Sequence, residues 1–304
     1  MPQYGPPLIS AGSRVVIARR SDLRTLAKRP SGAAVQKLLD SAIENYFQRD
    51  AADAWSRIVK KSDVVGLKVN CLAGKGLSTS IELTEAIIER LLHRGISKTN
   101  IIVWDRLDSD LERAGYVLYR GSGRAQCYGN DSMGYTPEVY EFGTIGSQLS
   151  RILHERCTAL INLPVLKDHG ICGVSIGLKS LFGAINNPNK YHDSVGDPYV
   201  ADLHMLPQIR DKIRLTICDA ITPQYEGGPP FMPQWTWPMD SLLVSEDMVA
   251  MDSIGWRIIE EQRSKSGLET LKAAGREPVY IATAADASHR LGVNDPTRIQ
   301  VVEV

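Results

Sequence analysis

The chain has 304 residues, 43% of them hydrophobic and 23% charged, with 35 Lys and Arg against 35 Asp and Glu. That length and composition fit a folded protein with a sizeable core and exclude a fibrous or intrinsically disordered chain. With zero net charge and no basic run longer than the pairs Arg19-Arg20 and Lys60-Lys61, no field draws in nucleic acid or an anionic membrane surface.

Residues 14–18 form a β-branched run that predicts a first strand, and residues 32–47 carry Val35, Leu38, Leu39, Ile43 and Tyr46 at helical spacing. Residues 63–69 are a nearly continuous apolar run ending at Asn70, which suits a buried central strand whose carboxyl end reaches a site. Thr79 and Glu82 read as a capping box opening a helix over 81–93, with Gly95 as its left-handed stop. Residues 101–104 predict the next buried strand, ended by Asp105, so 63–105 has the order of a parallel βαβ unit. The expected fold class is therefore α/β, a mostly parallel twisted sheet with helices on both faces, in one domain over residues 1–304.

Gly121, Gly123, Gly129, Gly134 and Gly143 break any period, so about 106–146 reads as an irregular glycine-rich insertion. An amphipathic helix is expected near 148–156, then a strand over 159–163 broken by Pro164. A helix over 203–212, limited by Pro207, leads to a strand over 213–218 tipped by Asp219. Residues 222–238, rich in proline with Gly227-Gly228, Trp235 and Trp237, read as a lid or edge of a site. A helix over 248–261, with Asp247 and Asp252 in capping or solvated first-turn roles, is followed by a helix near 268–274. Short strands over 279–282 and 299–302 complete the sheet.

Five cysteines (Cys71, Cys127, Cys157, Cys172 and Cys218) form no Cys-x-x-Cys pair. No iron-sulfur cluster or zinc ribbon is expected in this chain, and Cys157 and Cys218 read as small core residues. No apolar stretch approaches the ~18 residues of a membrane span, and none follows Arg19-Arg20 as a leader would require. As written the chain is expected in the cytoplasm, or exported if a leader has been removed. Nothing in the sequence bears on oligomeric state.

The densest polar constellation is Asn162-Leu-Pro-Val-Leu-Lys167-Asp168-His169, then Gly177-Leu-Lys179-Ser180-Leu-Phe182-Gly183 and Tyr191-His192. Residues just past a strand's carboxyl end face the crevice where α/β sheets bind ligands, and Lys167 and His169 are placed there, in a loop. With Gly66-Leu-Lys68-Val-Asn70 and the strand reaching Asp219, these segments resemble the domain of unknown function 362 family over roughly residues 60–295. That resemblance implies no agreed activity, but some relatives are fused to ferredoxin-type iron-sulfur modules and some are exported. Relatives often have Lys-Asn where this chain has Lys179-Ser180, and Lys-Thr-His where it has Lys167-Asp168-His169.

The candidate catalytic residues are Lys167, His169, Lys179, His192 and Asp219, with Lys68, Asn70 and Asn162 binding substrate. Lysines in such a place either hold an anion as point charges or, when one is desolvated, supply a nucleophilic amine. His169, His192 and His204, with Asp202 and Asp219 as oxygen donors, are candidate ligands for a divalent transition metal. Asp105 and Asp219 both end apolar strands, and Asp219 is preferred because the Pro/Trp loop follows it. The expectation is an enzyme acting on a small anionic molecule, metal-assisted or not. The alternative is a non-catalytic or electron-transfer partner of an iron-sulfur protein, docking through the Trp235 and Trp237 loop.

Overall fold

The computed structural model describes residues 12–24 and 30–304. Strand β1 (Ser13–Arg19) and helix α1 (Gly32–Phe47) lie where the sequence places them. α1 buries Val35, Leu38, Leu39, Ala42 and Ile43, a stripe at i, i+3, i+4, i+7 and i+8 that gives one apolar face. Helix α2 (Ala51–Ile58), which the spacing did not announce, starts where Asp50 accepts a hydrogen bond from Asp53 N at 3.0 Å. β2 (Val65–Val69), α3 (Ile81–His93) and β3 (Ile101–Trp104) form the expected βαβ unit. Gly95, at φ +92°, ends α3 as expected, with Ile96 N donating to Leu91 O at 3.0 Å.

Thr79 does not cap α3. Ser80 occupies the cap position without a side-chain bond. Thr79 Oγ1 instead accepts from Asn70 N at 2.8 Å and donates to Leu163 O at 2.6 Å, joining the carboxyl ends of two neighbouring strands.

The glycine-rich stretch is more regular than expected. It contains α4 (Asp108–Ala114), β4 (Gln126–Cys127), α5 (Asn130–Met133) and the hairpin β5 (Tyr140–Phe142) and β6 (Ile145–Ser147), and β4 joins the main sheet beside β3. The amphipathic helix near 148–156 shrinks to a π-helical turn at Ile152–Arg156, because Leu149 and Ser150 are bridged to Ile185 and Tyr135.

Past β7 (Ala159–Leu163) the chain stays extended. Pro164 ends β7 but its carbonyl accepts from Asp219 N at 2.8 Å, and β8 (Val165–His169) and β9 (Gly173–Ser175) follow. Lys167 and His169 therefore stand on a strand, not in a loop. After α6 (Gly177–Ser180), α7 (Tyr199–Met205) and α8 (Pro207–Arg210), β10 (Ile213–Gln224) runs on through Asp219, which lies mid-strand. β11 (Ser241–Ser245) was not foreseen. α9 (Met248–Lys265) starts with Asp247 accepting from Ala250 N at 2.9 Å. The helix expected near 268–274 is instead irregular chain followed by turns over 271–275, and the strand expected over 279–282 is helix α10 (Tyr280–Ala285), whose alanines favour the helix. β12 (Ile299–Glu303) closes the chain.

The sheet order is β12-β1-β11-β10-β7-β2-β3-β4, with β8 pairing β10 and β9 pairing β8. Most pairs are parallel; β1 with β11, β10 with β11 and β8 with β9 are antiparallel. Alternation along the strands feeds two apolar layers. Val65, Leu67 and Val69 pack with the α1, α2 and α3 residues Leu38, Trp55 and Ile87, while Trp104, Leu160 and Leu166 pack with the α6, α7 and α9 residues Leu178, Leu203 and Met251. Each fully buried aliphatic side chain contributes about 1.5–3 kcal/mol, so both faces must be covered. None of the helices formed by the described residues is long and apolar enough to cross a membrane.

Candidate functional site

Strand periodicity decides which side chains meet. On β2, Val65, Leu67 and Val69 take the α1–α3 face, so Lys68 projects with Gly66 to the other. On β8, Lys167 and His169 share one face and Asp168 takes the opposite one. Lys179 arrives on α6, whose first turn is fixed by Asp252 of α9: its carboxylate accepts from Gly177 N at 2.7 Å and Leu178 N at 3.1 Å. Gly183 lets this segment close over β2, since a Cβ there would lie 2.8 Å from Lys68 Cε.

Lys68, Lys167, His169, Lys179 and Gly183 line one cavity of about 340 Å³, with Asn70, Asp105, Phe182, His192 and Pro229 also on its wall. Lys68 Nζ is ion-paired to Asp105 Oδ1 at 2.7 Å and donates to Val69 O at 2.5 Å. Lys167 Nζ donates to Asn70 Oδ1 at 2.9 Å. Lys179 Nζ stands 3.0 Å from His192 Nε2 and 4.6 Å from the centre of the Phe182 ring. The His169 and His192 rings face each other at 5.4 Å.

Hydrogen bonding fixes the two imidazoles in complementary tautomers. His169 Nδ1 accepts from Ile171 N at 3.2 Å and Cys172 N at 3.1 Å, so its proton sits on Nε2. His192 Nδ1 faces Pro188 O at 3.0 Å and must donate, which leaves Nε2 as an acceptor for Lys179. Burial, reinforced by Lys179, His192 and Lys167, pushes His169 down to about 2, and burial with Lys179 beside it lowers His192. Burial also lowers Lys167 and Lys179 to about 8 each, with Asp105 partly opposing the shift at Lys167. The site thus holds neutral imidazoles among cations.

Other expected site residues are placed elsewhere. Asp219 is buried beside the start of α3, accepting from Ser80 N at 2.8 Å and Ile221 N at 3.0 Å. Asn162 donates to Gly177 O at 2.8 Å beneath α6. His204 bonds Leu178 O through Nε2 at 2.8 Å, within the α7 packing layer, and burial lowers it to about 4. Asp202 accepts from Thr144 N and Oγ1, each at 2.7 Å, and from His289 at 3.0 Å. None of the four lines the cavity. Asp105, ranked below Asp219 on sequence, does line it, together with Asp110. Asp252, expected in a capping or solvated first-turn role, is wholly buried, and burial pushes it up to about 8. Phe182 and Asn189 on the wall had no chemical signal of their own in the sequence.

Among the described residues, the trio whose donor atoms could hold a metal is His169, Cys172 and His192, all within 4.8 Å of one another. Cys172 replaces His204 in the expected set. The imidazole bonds to backbone amides and to Lys179 would have to be exchanged for metal bonds, with the Lys179 ammonium opposing a dication. The Trp235 and Trp237 rings turn onto Tyr225, at 5.7 and 5.8 Å, and the loop reaches the cavity through Pro229.

Compared with known proteins, residues 65–257 match a family model described as "Domain of unknown function (DUF362)". No curated protein matches the chain. Among solved structures, a structural genomics target from Thermotoga maritima is similar at a TM-score of 0.47 and 12% identity, over 79% of this chain and 60% of that one. The present chain thus spans less than two thirds of that protein's length, and the likeness is too slight to bear on function.

Proposed function

The chain belongs to the domain of unknown function 362 family, and from its pocket rather than from that description we propose that it is an enzyme acting on a small anionic molecule. One observation carries the reading. Of the five buried lysines and arginines among the described residues, Lys68, Arg263 and Arg276 are ion-paired to Asp105, to Glu226, and to Asp168 with Glu226. Lys167 and Lys179 have neutral partners instead, Asn70 and His192, and both open on the cavity.

A buried cation without a counter-charge carries a desolvation penalty that an anionic ligand would relieve. A carboxylate or phosphate between the two ammonium groups would complete the ion pairs that the protein leaves open. His169 would present its Nε2–H as a donor to charge developing on the substrate, and His192 Nε2 would accept or return a proton.

The test is calorimetric titration with inorganic phosphate and a panel of small mono- and dicarboxylates. At least one should bind the wild type, and Lys167→Met and Lys179→Met should each weaken it at least tenfold, as expected for losing a buried charge-assisted contact. Absence of binding throughout the panel, or undiminished binding by both variants, would refute the proposal.

A further inference from the structure

Resting on that reading, we propose that the substrate is a 2-oxo acid: Lys167 holds its carboxylate, and Lys179 Nζ joins its carbonyl carbon as an imine. The cavity's three lysines are not equivalent. Lys68 is engaged twice, by Asp105 and by Val69 O, and already has its counter-charge. Lys167 donates to an amide oxygen, which is no base and takes no proton from it. Lys179 faces a ring nitrogen whose lone pair can take a proton from it.

Lys179, His192 and Pro188 O therefore form a chain of nucleophile, base and orienting group. Nζ is 3.0 Å from Nε2, and Nδ1 is 3.0 Å from the carbonyl that fixes the tautomer. That is the arrangement by which an unreactive side chain is made into a nucleophile. Burial of Lys179 disfavours its ammonium form, while the Phe182 face beside Nζ acts in the opposite sense. Asp252 holds the turn that carries Lys179 without touching its amine.

The step balances without a further reactant. Lys179 passes one proton to His192 Nε2, and the freed lone pair forms the C–N bond while the carbonyl π pair moves to oxygen. His192 returns that proton to the oxygen, takes a second from the nitrogen and delivers it to the departing hydroxyl. Two of the ammonium's three protons leave in water, one stays on the iminium, and the net charge is unchanged. Hydrolysis runs the same sequence backwards. The iminium withdraws electrons from the bonds of the adjacent carbon, which is the chemical use of such an adduct.

The experiment is reductive trapping. Wild-type protein is incubated separately with pyruvate and 2-oxoglutarate, treated with sodium borohydride, and read by intact mass and peptide mapping, with binding of both acids measured in parallel. The expected result is a single reduced adduct on Lys179 with at least one of them. The adduct should be absent in Lys179→Arg, which keeps the charge but cannot form the imine, and should form at least tenfold more slowly in His192→Gln. An oxo acid that binds without an adduct, or an adduct spread over surface lysines and undiminished in Lys179→Arg, overturns the imine while leaving the anion site standing. If neither oxo acid binds while another anion does, the substrate class falls alone; if no anion binds, both fall together.

Discussion

The two faces of strand β8 handle buried charge in opposite ways. Asp168 points to one side, where its carboxylate accepts from Arg276 Nη1 at 2.9 Å and from Gly228 N at 2.9 Å. Arg276 also meets Glu226, which meets Arg263, so two arginines and two carboxylates neutralise one another. One residue away on either side, Lys167 and His169 face a cavity where two of the three lysines lack a carboxylate. The paired face is what a fold requires of buried charge. The unpaired face is stability forgone, and the difference marks where a ligand belongs. The two faces are also mechanically joined: Asp168 holds Gly228, where a Cβ would lie 2.3 Å from Asp168 O, and thereby sets Pro229 on the cavity wall.

The largest effect should come from breaking the paired face. Asp168→Ala leaves Arg276 with half its counter-charge in a dry environment, and removal of one partner from such a cluster costs about 3–5 kcal/mol. Urea unfolding at pH 7 measures it. A loss under about 1 kcal/mol would mean that the four charges are not a structural unit, and the contrast between the faces would dissolve.

A smaller effect is expected at Asp252, which serves the cavity from behind. Asp252→Ala strands the amides of Gly177 and Leu178, at about 1–3 kcal/mol for each buried group left unsatisfied. It should also weaken anion binding by displacing the turn that carries Lys179. Asp252→Asn keeps one acceptor oxygen and should lose about half as much of both. Normal anion affinity in a destabilised Asp252→Ala protein would show that Lys179 is positioned by something else.

Much of the fold was legible because β2 and β3 are short buried runs, α3 is periodic, and the three are punctuated by Asn70, Gly95 and Asp105, so local signals agree with tertiary pairing. β8 was not, because Pro164 looks like an end. The pairing of Val165 with Asp219 and of Lys167 with Gln224, far along the chain, together with the hairpin pairing of residues 167–169 with 173–175, keeps residues 165–169 extended. Reading β8 as a loop hid the alternation that separates Asp168 from Lys167 and His169. The same long-range pairing carries β10 past Asp219, moving that carboxylate from a strand tip into the sheet. Lys167, His169, Lys179 and His192 were recognisable by residue type and grouping. Asn162 and His204 were not distinguishable from them, because a polar residue that seals a buried carbonyl and one that faces a ligand look alike until the partner is seen.

The smallest effect sharpens the comparison most. In Lys167→Met, Lys179→Met double-variant protein, relief from burying two charges offsets the hydrogen bonds lost by Asn70 and His192, so stability at pH 7 should change by less than about 1 kcal/mol. The pH dependence should separate the proteins. Both lysines sit near 8 when folded, lowered chiefly by burial, with Asp105, Cys71 and Asp168 partly opposing the shift at Lys167 and Cys172 at Lys179. An unfolded lysine titrates near 10.4. Below pH 8 both states hold the protons; between about 8 and 10.4 only the unfolded chain does. Each lysine therefore adds stability as pH rises through that window, by up to about 1.4 kcal/mol per pH unit. Buried Cys71, Cys218, Tyr116 and Tyr280 are shifted upward and act in the opposite sense, but they are common to both proteins. The difference between wild type and double variant, measured by urea unfolding at pH 7 and pH 9.5, should move in favour of the wild type. A difference that stays flat would mean that Lys167 and Lys179 keep their protons when folded and are stabilised by charge on that face after all.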